Sequence, residues 1–355
     1  MGAFSEKKLR VLLCGVQVPF VRGGAEILLE SIEENLRRVG HLVEVVKIPF
    51  KWYPKSELFS HCLIWRLLDL TETMGEPIDL LIATKFPSYL VKHPCKVVWL
   101  IHQHREIYDR YGEKYSSFSN ITPDNQVREK LIKMDTDALR EAKRVFAISG
   151  NVKRRCRKFN GVDSQLLYPP LPHPERYHQQ EYGDYILSVC RLEEDKRVDL
   201  LIKALSYGNK KVKAFIVGKG TQERELVQLA RRLKLTDRVE FLGWVGQERL
   251  CQLYARCLGV FYSPLDEDFG LVTLEALQSR KPVITCQDSG GVLEFVFDGV
   301  SGFVTPPDPL QISERTDQLF SDRALCQRMG EEGHCRVKGI TWNKTLSQLL
   351  EGIMS

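Results

Sequence analysis

Short apolar runs alternate with longer stretches of helical period from one end of the chain to the other. In the first half the runs read LRVLLCGV, LVEVVKI, IDLLIAT, KVVWLIH and RVFAIS; in the second they read YILSVC, VKAFIVG, VEFLG, GVFYS and PVITC. Runs of this kind, bounded by turn residues, are what strands buried on both faces of a parallel sheet produce. The segments between them, such as AEILLESIEENLRRV after the first run and ERELVQLARRLKL after the run ending in Gly218, repeat apolar residues at three and four positions. They predict amphipathic helices. The pattern is that of βα units, so the expected fold class is α/β with parallel sheets, and it occurs twice.

Between the halves lies YPPLPHPERYHQQEYGDY, whose prolines rule out a regular helix. It reads as a linker, with the boundary inside residues 168–183. A length of 355 residues suits two cores of roughly 150 residues each. The expected organisation is an N-terminal domain over 1–170, a linker over 171–183, a C-terminal domain over 184–338 and a closing helix over 339–355, where WNKTLSQLLEGIM keeps a helical period. Doubly wound sheets bind ligands at the carboxyl ends of their strands, and two facing sheets of this kind make an interdomain cleft. Candidate residues should therefore follow the apolar runs.

Composition narrows the classes. Apolar residues make up 43% and charged residues 27%, which excludes a disordered or fibrous chain. No apolar run approaches the ~18 residues of a membrane span, and the leading MGAFSEKKLR has no signal-peptide core. The expected location is cytoplasmic. Ten cysteines without a CxxC pair or a Cys/His cluster argue against a zinc site and for buried thiols in a reducing compartment. The net charge of +5 is mild, but Lys153, Arg154, Arg155, Arg157 and Lys158 crowd one segment. That run reads either as a solvated helix face or as a contact for anionic lipid or an anionic acceptor.

The strongest functional pattern is SPLDEDFGLVTLEAL, which spaces Glu267 and Glu275 eight apart. A helix starting near Phe269-Gly270 leaves its first amides unpaired, where they and the helix dipole hold a phosphate. Glu275, one turn further in, then suits a pair of vicinal hydroxyls such as a ribose, and Glu267 faces what hangs beyond the phosphate. Arg191 follows a buried run directly and Lys196 precedes the next helix, so the two cations can neutralise a diphosphate without a metal. Gly23-Gly24 closes an unusually long first turn, GVQVPFVRGGAE, where a ligand can approach the backbone; no GxGxxG fingerprint is present, which counts against a nicotinamide cofactor.

Other features have plainer readings. His102 and His104, two apart at the end of KVVWLIH, would share a face on a strand, yet no third metal ligand has sensible spacing. One histidine at the strand end pointing into the cleft, the other on the loop, is the reading kept. Ser149 caps the helix after RVFAIS. Asp135 and Asp137 fall inside a helical segment and read as solvated surface. Gly218 with Gly220, and Gly290 with Gly291, mark further turns.

With Gly23-Gly24, His102, Arg191, Lys196 and the Glu267/Glu275 pair in chain order, the sequence resembles the family 4 retaining glycosyltransferases of the GT-B fold. The resemblance covers nearly the whole chain and is most specific from SPLDEDFGLVTLEALQSRKPVIT through SGGVLEFVFDGVSGFVTPPD. It implies two facing Rossmann-like domains and transfer of a hexose-type sugar, with retention, from a nucleotide diphosphate sugar to a glycan or lipid-linked acceptor. It implies no cofactor, no bound metal and no nucleic acid partner. By the resemblance, Arg191 and Lys196 clamp the diphosphate and Glu275 binds the ribose. Glu267 lies near the sugar with the backbone of Phe269, Gly270 and Leu271. His102 lies near the sugar ring and Gly24 in the loop closing over phosphate and acceptor. Glu294 is read as structural, and Trp342 opens a final helix of the kind that crosses back onto the first domain. Peripheral contact with an anionic membrane at the inner face follows from the basic run and family habit. The alternatives are a sugar phosphorylase or epimerase on the same architecture, a dehydrogenase, or a non-catalytic nucleotide-sugar binding protein. Against the last stands the expectation that the charged set, without phosphate, would sit unpaired.

Overall fold

The computed structural model describes residues 8–20, 22–113 and 116–353; the first seven residues of MGAFSEKKLR and Val21 of the long first turn lie outside them. The chain divides into two compact units, one of residues 1–172 with 341–355 and one of residues 173–340.

The strands in chain order are β1 (Arg10–Gln17), β2 (Leu42–Pro49), β3 (Glu72–Thr73), β4 (Glu76–Pro77), β5 (Leu80–Ala83), β6 (Lys96–Leu100), β7 (Arg144–Ala147) and β8 (Gln165–Leu166), then β9 (Tyr185–Val189), β10 (Lys213–Val217), β11 (Val239–Gly243), β12 (Gly259–Phe261), β13 (Val283–Cys286) and β14 (Gly302–Thr305). The helices are α1 (Gly24–Arg38), α2 (Glu57–Leu67), α3 (Thr122–Arg140), α4 (Gly150–Asn160), α5 (Val198–Tyr207), α6 (Glu223–Arg232), α7 (Gln247–Arg256), α8 (Leu271–Gln278), α9 (Pro309–Ser321), α10 (Arg323–Val337) and α11 (Trp342–Leu350).

The first unit holds a six-stranded sheet ordered β2-β1-β5-β6-β7-β8, and the second holds one ordered β11-β10-β9-β12-β13-β14. Every neighbouring pair in the two sheets is parallel. All ten apolar runs became strands of these sheets. The central ones are buried from end to end, as in LLIA of β5 and VITC of β13, because helices cover both faces. Each fully buried Leu, Ile or Val side chain contributes on the order of 1.5–3 kcal/mol. The runs missed β8 and β14, which are two and four residues long, and the small hairpin β3–β4 with exposed Glu72, Thr73 and Glu76. None of these carries a long apolar signature.

Each sheet reverses its order once: at β1 and β5 in the first, at β9 and β12 in the second. Loops leaving the two strands at such a point diverge to opposite faces and leave a crevice. In the second unit those loops carry Arg191 and Lys196 after β9, and Glu267 through Gly270 after β12. In the first they carry Gly23-Gly24 after β1 and Lys85 after β5. The closing helix α11 belongs to the first unit, where Trp342 donates from Nε1 to the Leu171 carbonyl at 3.0 Å and stands edge-on to Trp99.

Candidate functional site

In the second unit, the chain leaves β9, passes Cys190, whose thiol burial pushes up to about 12, and reaches Arg191. The Arg191 side chain is exposed. A single turn over Glu194–Lys196 follows, and Lys196 ion-pairs with Glu267 through Nζ and Oε2. Burial alone would lower the Lys196 ammonium, but the Glu267 and Asp195 carboxylates outweigh it and its pKa is raised. The expectation that these charges sit unpaired without phosphate is therefore corrected: Lys196 and Glu267 satisfy each other. A desolvated ammonium at a strand end is costly, and the nearest carboxylate removes that cost.

The β12 loop is pinned from both sides. Leu265 donates its amide to the Asp195 carbonyl at 2.8 Å, Asp266 to Asp288 at 2.9 Å, and the Gly291 amide reaches the Glu267 carbonyl at 2.8 Å. Arg197, held in the left-handed region at φ 52°, grips Asp288 with both terminal nitrogens at 2.8 and 2.6 Å and reaches the Ser263 and Pro264 carbonyls. That fork lowers the Asp288 pKa. Sequence reading passed over Arg197 in favour of Lys196; only the bidentate geometry reveals it as the brace of the loop.

Gly270 caps α8 at φ 85°. A Cβ there would lie 2.8 Å from the Tyr262 ring and 3.2 Å from Val292, so both the backbone and the space demand glycine. Phe269 is buried edge-on to Phe295, fixing the approach to the helix. Leu271 opens α8, whose first turn is closed by the Thr273 amide donating to the Gly270 carbonyl at 3.0 Å. In that first turn the Thr273 hydroxyl is fully buried and has no hydrogen-bond partner, which is an unusual state for a buried polar atom.

Glu275, one turn on, accepts from the Tyr254 hydroxyl at 2.7 Å and from Tyr177 at 3.0 Å. Burial raises the Glu275 pKa, and the two hydroxyls pull it back. Burial and the Glu275 charge hold both tyrosines above the ordinary phenol range. Each carboxylate oxygen thus carries one donor and keeps a further lone pair. Sequence reading missed both tyrosines: Tyr254 sits in the apolar stripe of α7, and Tyr177 in the segment read as a linker. Gln247 adds a donor to Tyr177 at 3.0 Å.

In the first unit Gly23 caps α1, and the Glu26 side chain returns to the Gly23 amide at 2.9 Å. Glu26 also pairs with Lys85 at 2.9 Å, joining the β1 and β5 loops. Glu26 and Lys85 line a pocket of about 340 Å³ with Gln17, Arg22 and Thr84. Gly24 is the first residue of α1 itself.

Four expectations for the first unit meet corrections or refinements. β6 ends at Leu100, so His102 and His104 lie past the strand and share no strand face. His104 is buried against Phe86 and Phe118, and burial lowers its pKa to about 4; His102 is half-exposed, its Nδ1 2.7 Å from the Gln103 carbonyl. Asp135 is not solvated surface but fully buried, taking hydroxyls from Tyr89 at 3.0 Å and Tyr108 at 2.7 Å; Asp137 is exposed and pairs with Lys133. The basic run is not one solvated face either: Arg154, Arg157 and Lys158 are exposed, whereas Arg155 turns inward beside Asp109 at 3.2 Å. Ser149 caps α4, accepting from the Val152 amide at 3.0 Å. Among the described residues no group of three or more His, Cys, Asp or Glu is placed to hold a metal ion, and no helix is long and apolar enough to cross a membrane.

Residues 173–336, nearly all of the second unit, match the family described as "Glycosyl transferases group 1". The chain is 32% identical over 213 residues to the human "Alpha-1,3/1,6-mannosyltransferase ALG2", covering 52% of this chain and 51% of that protein. It is 25% identical over 350 residues to the "Uncharacterized glycosyltransferase MJ1607" of Methanocaldococcus jannaschii, covering 86% and 87%. Apart from the archaeal protein, the chain spans about half the length of the curated relatives it matches. Among solved structures, Anabaena Alr3699/HepE in complex with UDP and glucose superposes with a TM-score of 0.72 at 20% identity, over 96% of this chain and 98% of that one. The fold is GT-B, and residues 173–336 match the group 1 glycosyltransferases, the class the sequence motifs resemble.

Proposed function

We propose that this protein is a retaining glycosyltransferase that moves a hexose-type sugar from a nucleotide diphosphate sugar to a glycan or lipid-linked acceptor without a bound metal. The observation carrying this reading is the meeting, at the switch point of the second sheet, of the β9 and β12 loops through the Lys196–Glu267 pair. The pair sets an ammonium beside a carboxylate in the loops leaving two adjacent strands, one loop also carrying Arg191 and the other running into α8.

Breaking the bond between sugar and diphosphate builds positive charge on the ring and negative charge on the departing phosphate. Fixed cations and N–H donors aimed at that phosphate lower the barrier because they need no reorganisation as the charge develops. In this reading Arg191 and Lys196 take the diphosphate with the amides of Gly270 and Leu271, and Thr273 supplies a further hydroxyl. As phosphate binds, Lys196 shares its protons between Glu267 and the incoming oxygens. Glu267, with the backbone of Phe269, positions the transferred sugar. Glu275 keeps its tyrosine donors and offers its remaining lone pairs to the ribose. From the first unit, His102 and Gly24 are assigned to the sugar ring and to the substrate-covering loop.

The mannosyl transfer named for the human relative agrees with a hexose donor. A lipid-linked acceptor would bring the protein to a membrane surface, where exposed Arg154, Arg157 and Lys158 suit anionic headgroups. Thermal stabilisation by a panel of nucleotide sugars, followed by nucleotide release from those that bind, tests the proposal. Stabilisation and release by at least one sugar nucleotide is expected; a panel without a binder contradicts it.

A further inference from the structure

Beyond Leu100 three consecutive positions are held in different ways. His104 is packed among aromatic rings, His102 is half-exposed, and Gln103 between them is fully buried. The Gln103 amide donates from Nε2 to Asn160 Oδ1 at 3.0 Å. Asn160, the last residue of α4, donates from Nδ2 to the Tyr108 hydroxyl oxygen at 3.1 Å and to Thr136 Oγ1 at 2.9 Å. The Tyr108 hydroxyl donates to Asp135 Oδ2 at 2.7 Å, which also accepts from Tyr89.

Every donor in this relay points toward Asp135. Asp135 Oδ2 accepts from both tyrosine hydroxyls, which sets the direction of the Tyr108 bond, and Asn160 and Gln103 then donate in turn. The main-chain carbonyl of Gln103, which can only accept, takes His102 Nδ1–H at 2.7 Å, while the Gln103 side-chain oxygen is buried without a hydrogen-bond partner among the described residues. The His102 proton therefore sits on Nδ1, and Nε2 is its acceptor. Such a network is an expensive way to fill a core, because a packed apolar cluster of the same volume is often as stable or more so. What it supplies is a single geometry.

We propose that Gln103 is a positioning residue for sugar transfer: its side chain, anchored through Asn160 and Tyr108 to Asp135, fixes its own main-chain carbonyl, and that carbonyl holds the His102 ring in one orientation and one tautomer. The inference rests on the reading of His102 as a sugar-facing residue. It distinguishes Gln103 from an ordinary core amide, whose loss would reduce folded protein without acting through a neighbour.

The test follows nucleotide release from UDP-glucose or GDP-mannose, whichever the wild-type chain turns over, for His102→Ala, Gln103→Leu and the double variant. Misplacing a catalytic contact by an ångström costs up to about a hundredfold in rate. Gln103→Leu is expected to lower kcat by about ten- to a hundredfold with the donor KM unchanged, and to add nothing in the His102→Ala background. Tyr108→Phe, which keeps the ring and removes one hydroxyl, should give a smaller loss of the same kind and serves where Gln103→Leu fails to fold. In ¹⁵N-histidine spectra, with the His102 signal identified by its absence in His102→Ala, the proton should sit on Nδ1 and become mixed in Gln103→Leu. Two results overturn the proposal: wild-type kcat in folded Gln103→Leu, or a further multiplied loss when it is combined with His102→Ala. Unchanged turnover in His102→Ala itself removes the reading of His102, and the inference falls with it; the diphosphate site of the second unit is untouched by that outcome.

Discussion

Lys196 and Glu267 form an ion pair that joins the loop after β9 to the loop after β12. With side chains 11% and 21% exposed, the pair is too wet to carry the ~3–5 kcal/mol cost of breaking a fully buried one, yet too dry to be neutral. Lys196→Met should lower the melting temperature by a few degrees and nucleotide release by about a hundredfold or more. Adding Glu267→Gln should restore the melting temperature, by removing the carboxylate that has lost its cation, without restoring turnover. Recovery of turnover along with stability would show the pair to be scaffold alone.

Tyr254 and Glu275 give a second separation of roles. Removing the Tyr254 hydroxyl takes a hydrogen-bond donor from one oxygen of a partly buried carboxylate, so Tyr254→Phe should cost about 1 kcal/mol in denaturant unfolding. If Glu275 binds the ribose, the 2′-deoxy form of the preferred donor should bind the wild-type protein more weakly, and the two donors should bind Glu275→Gln with nearly equal affinity. Titration calorimetry with the two donors decides this; a deoxy penalty that survives in Glu275→Gln rules the assignment out.

Asp135 couples stability to pH. Burial raises its folded pKa to about 7, above an ordinary carboxyl near ~3.9, so between those values the folded state binds more protons than the unfolded one. The Asp135 contribution is therefore fully present below pH ~4 and is lost as pH rises through about 7. Tyr89, Tyr108, Cys62 of α2 and Cys156 of α4 face it, and these neutral groups do not reverse the sign below pH 8. Asp135→Asn keeps an acceptor for both tyrosines and cannot ionise. Its melting temperature should fall less than that of the wild type between pH 5 and pH 8; parallel curves would contradict the account.

The leaving diphosphate is assigned to Arg191, Lys196 and the helix amides in place of a divalent ion. Turnover should accordingly persist in excess EDTA after dialysis. A loss that Mg²⁺ or Mn²⁺ restores would count against that assignment.

The fold was legible because its strands are buried on both faces: runs such as LLIAT and PVITC admit little else, and their alternation with amphipathic stretches dictates parallel sheets. The loops leaving the strands were legible too, because each begins where an apolar run ends. What stayed hidden depends on partners distant in sequence. Asp135 looks like any polar helix residue until Tyr89 and Tyr108, 46 and 27 positions away, are seen to meet it. Tyr177 and Tyr254 read as linker and apolar stripe because nothing local announces that both hydroxyls turn toward Glu275. Arg197 was overlooked beside Lys196, since a periodic pattern cannot tell a bracing guanidinium from a solvated one.

The claim that the second unit grips a diphosphate is tested most directly by calorimetric titration of UDP and GDP into the wild-type protein and Arg191→Ala/Lys196→Ala. Each charge-assisted contact is worth about 1.5–3 kcal/mol. The double variant, with its melting curve checked beforehand, should therefore bind the preferred nucleotide at least about a hundredfold more weakly. Affinity within about twofold of wild type in a folded double variant would contradict the account.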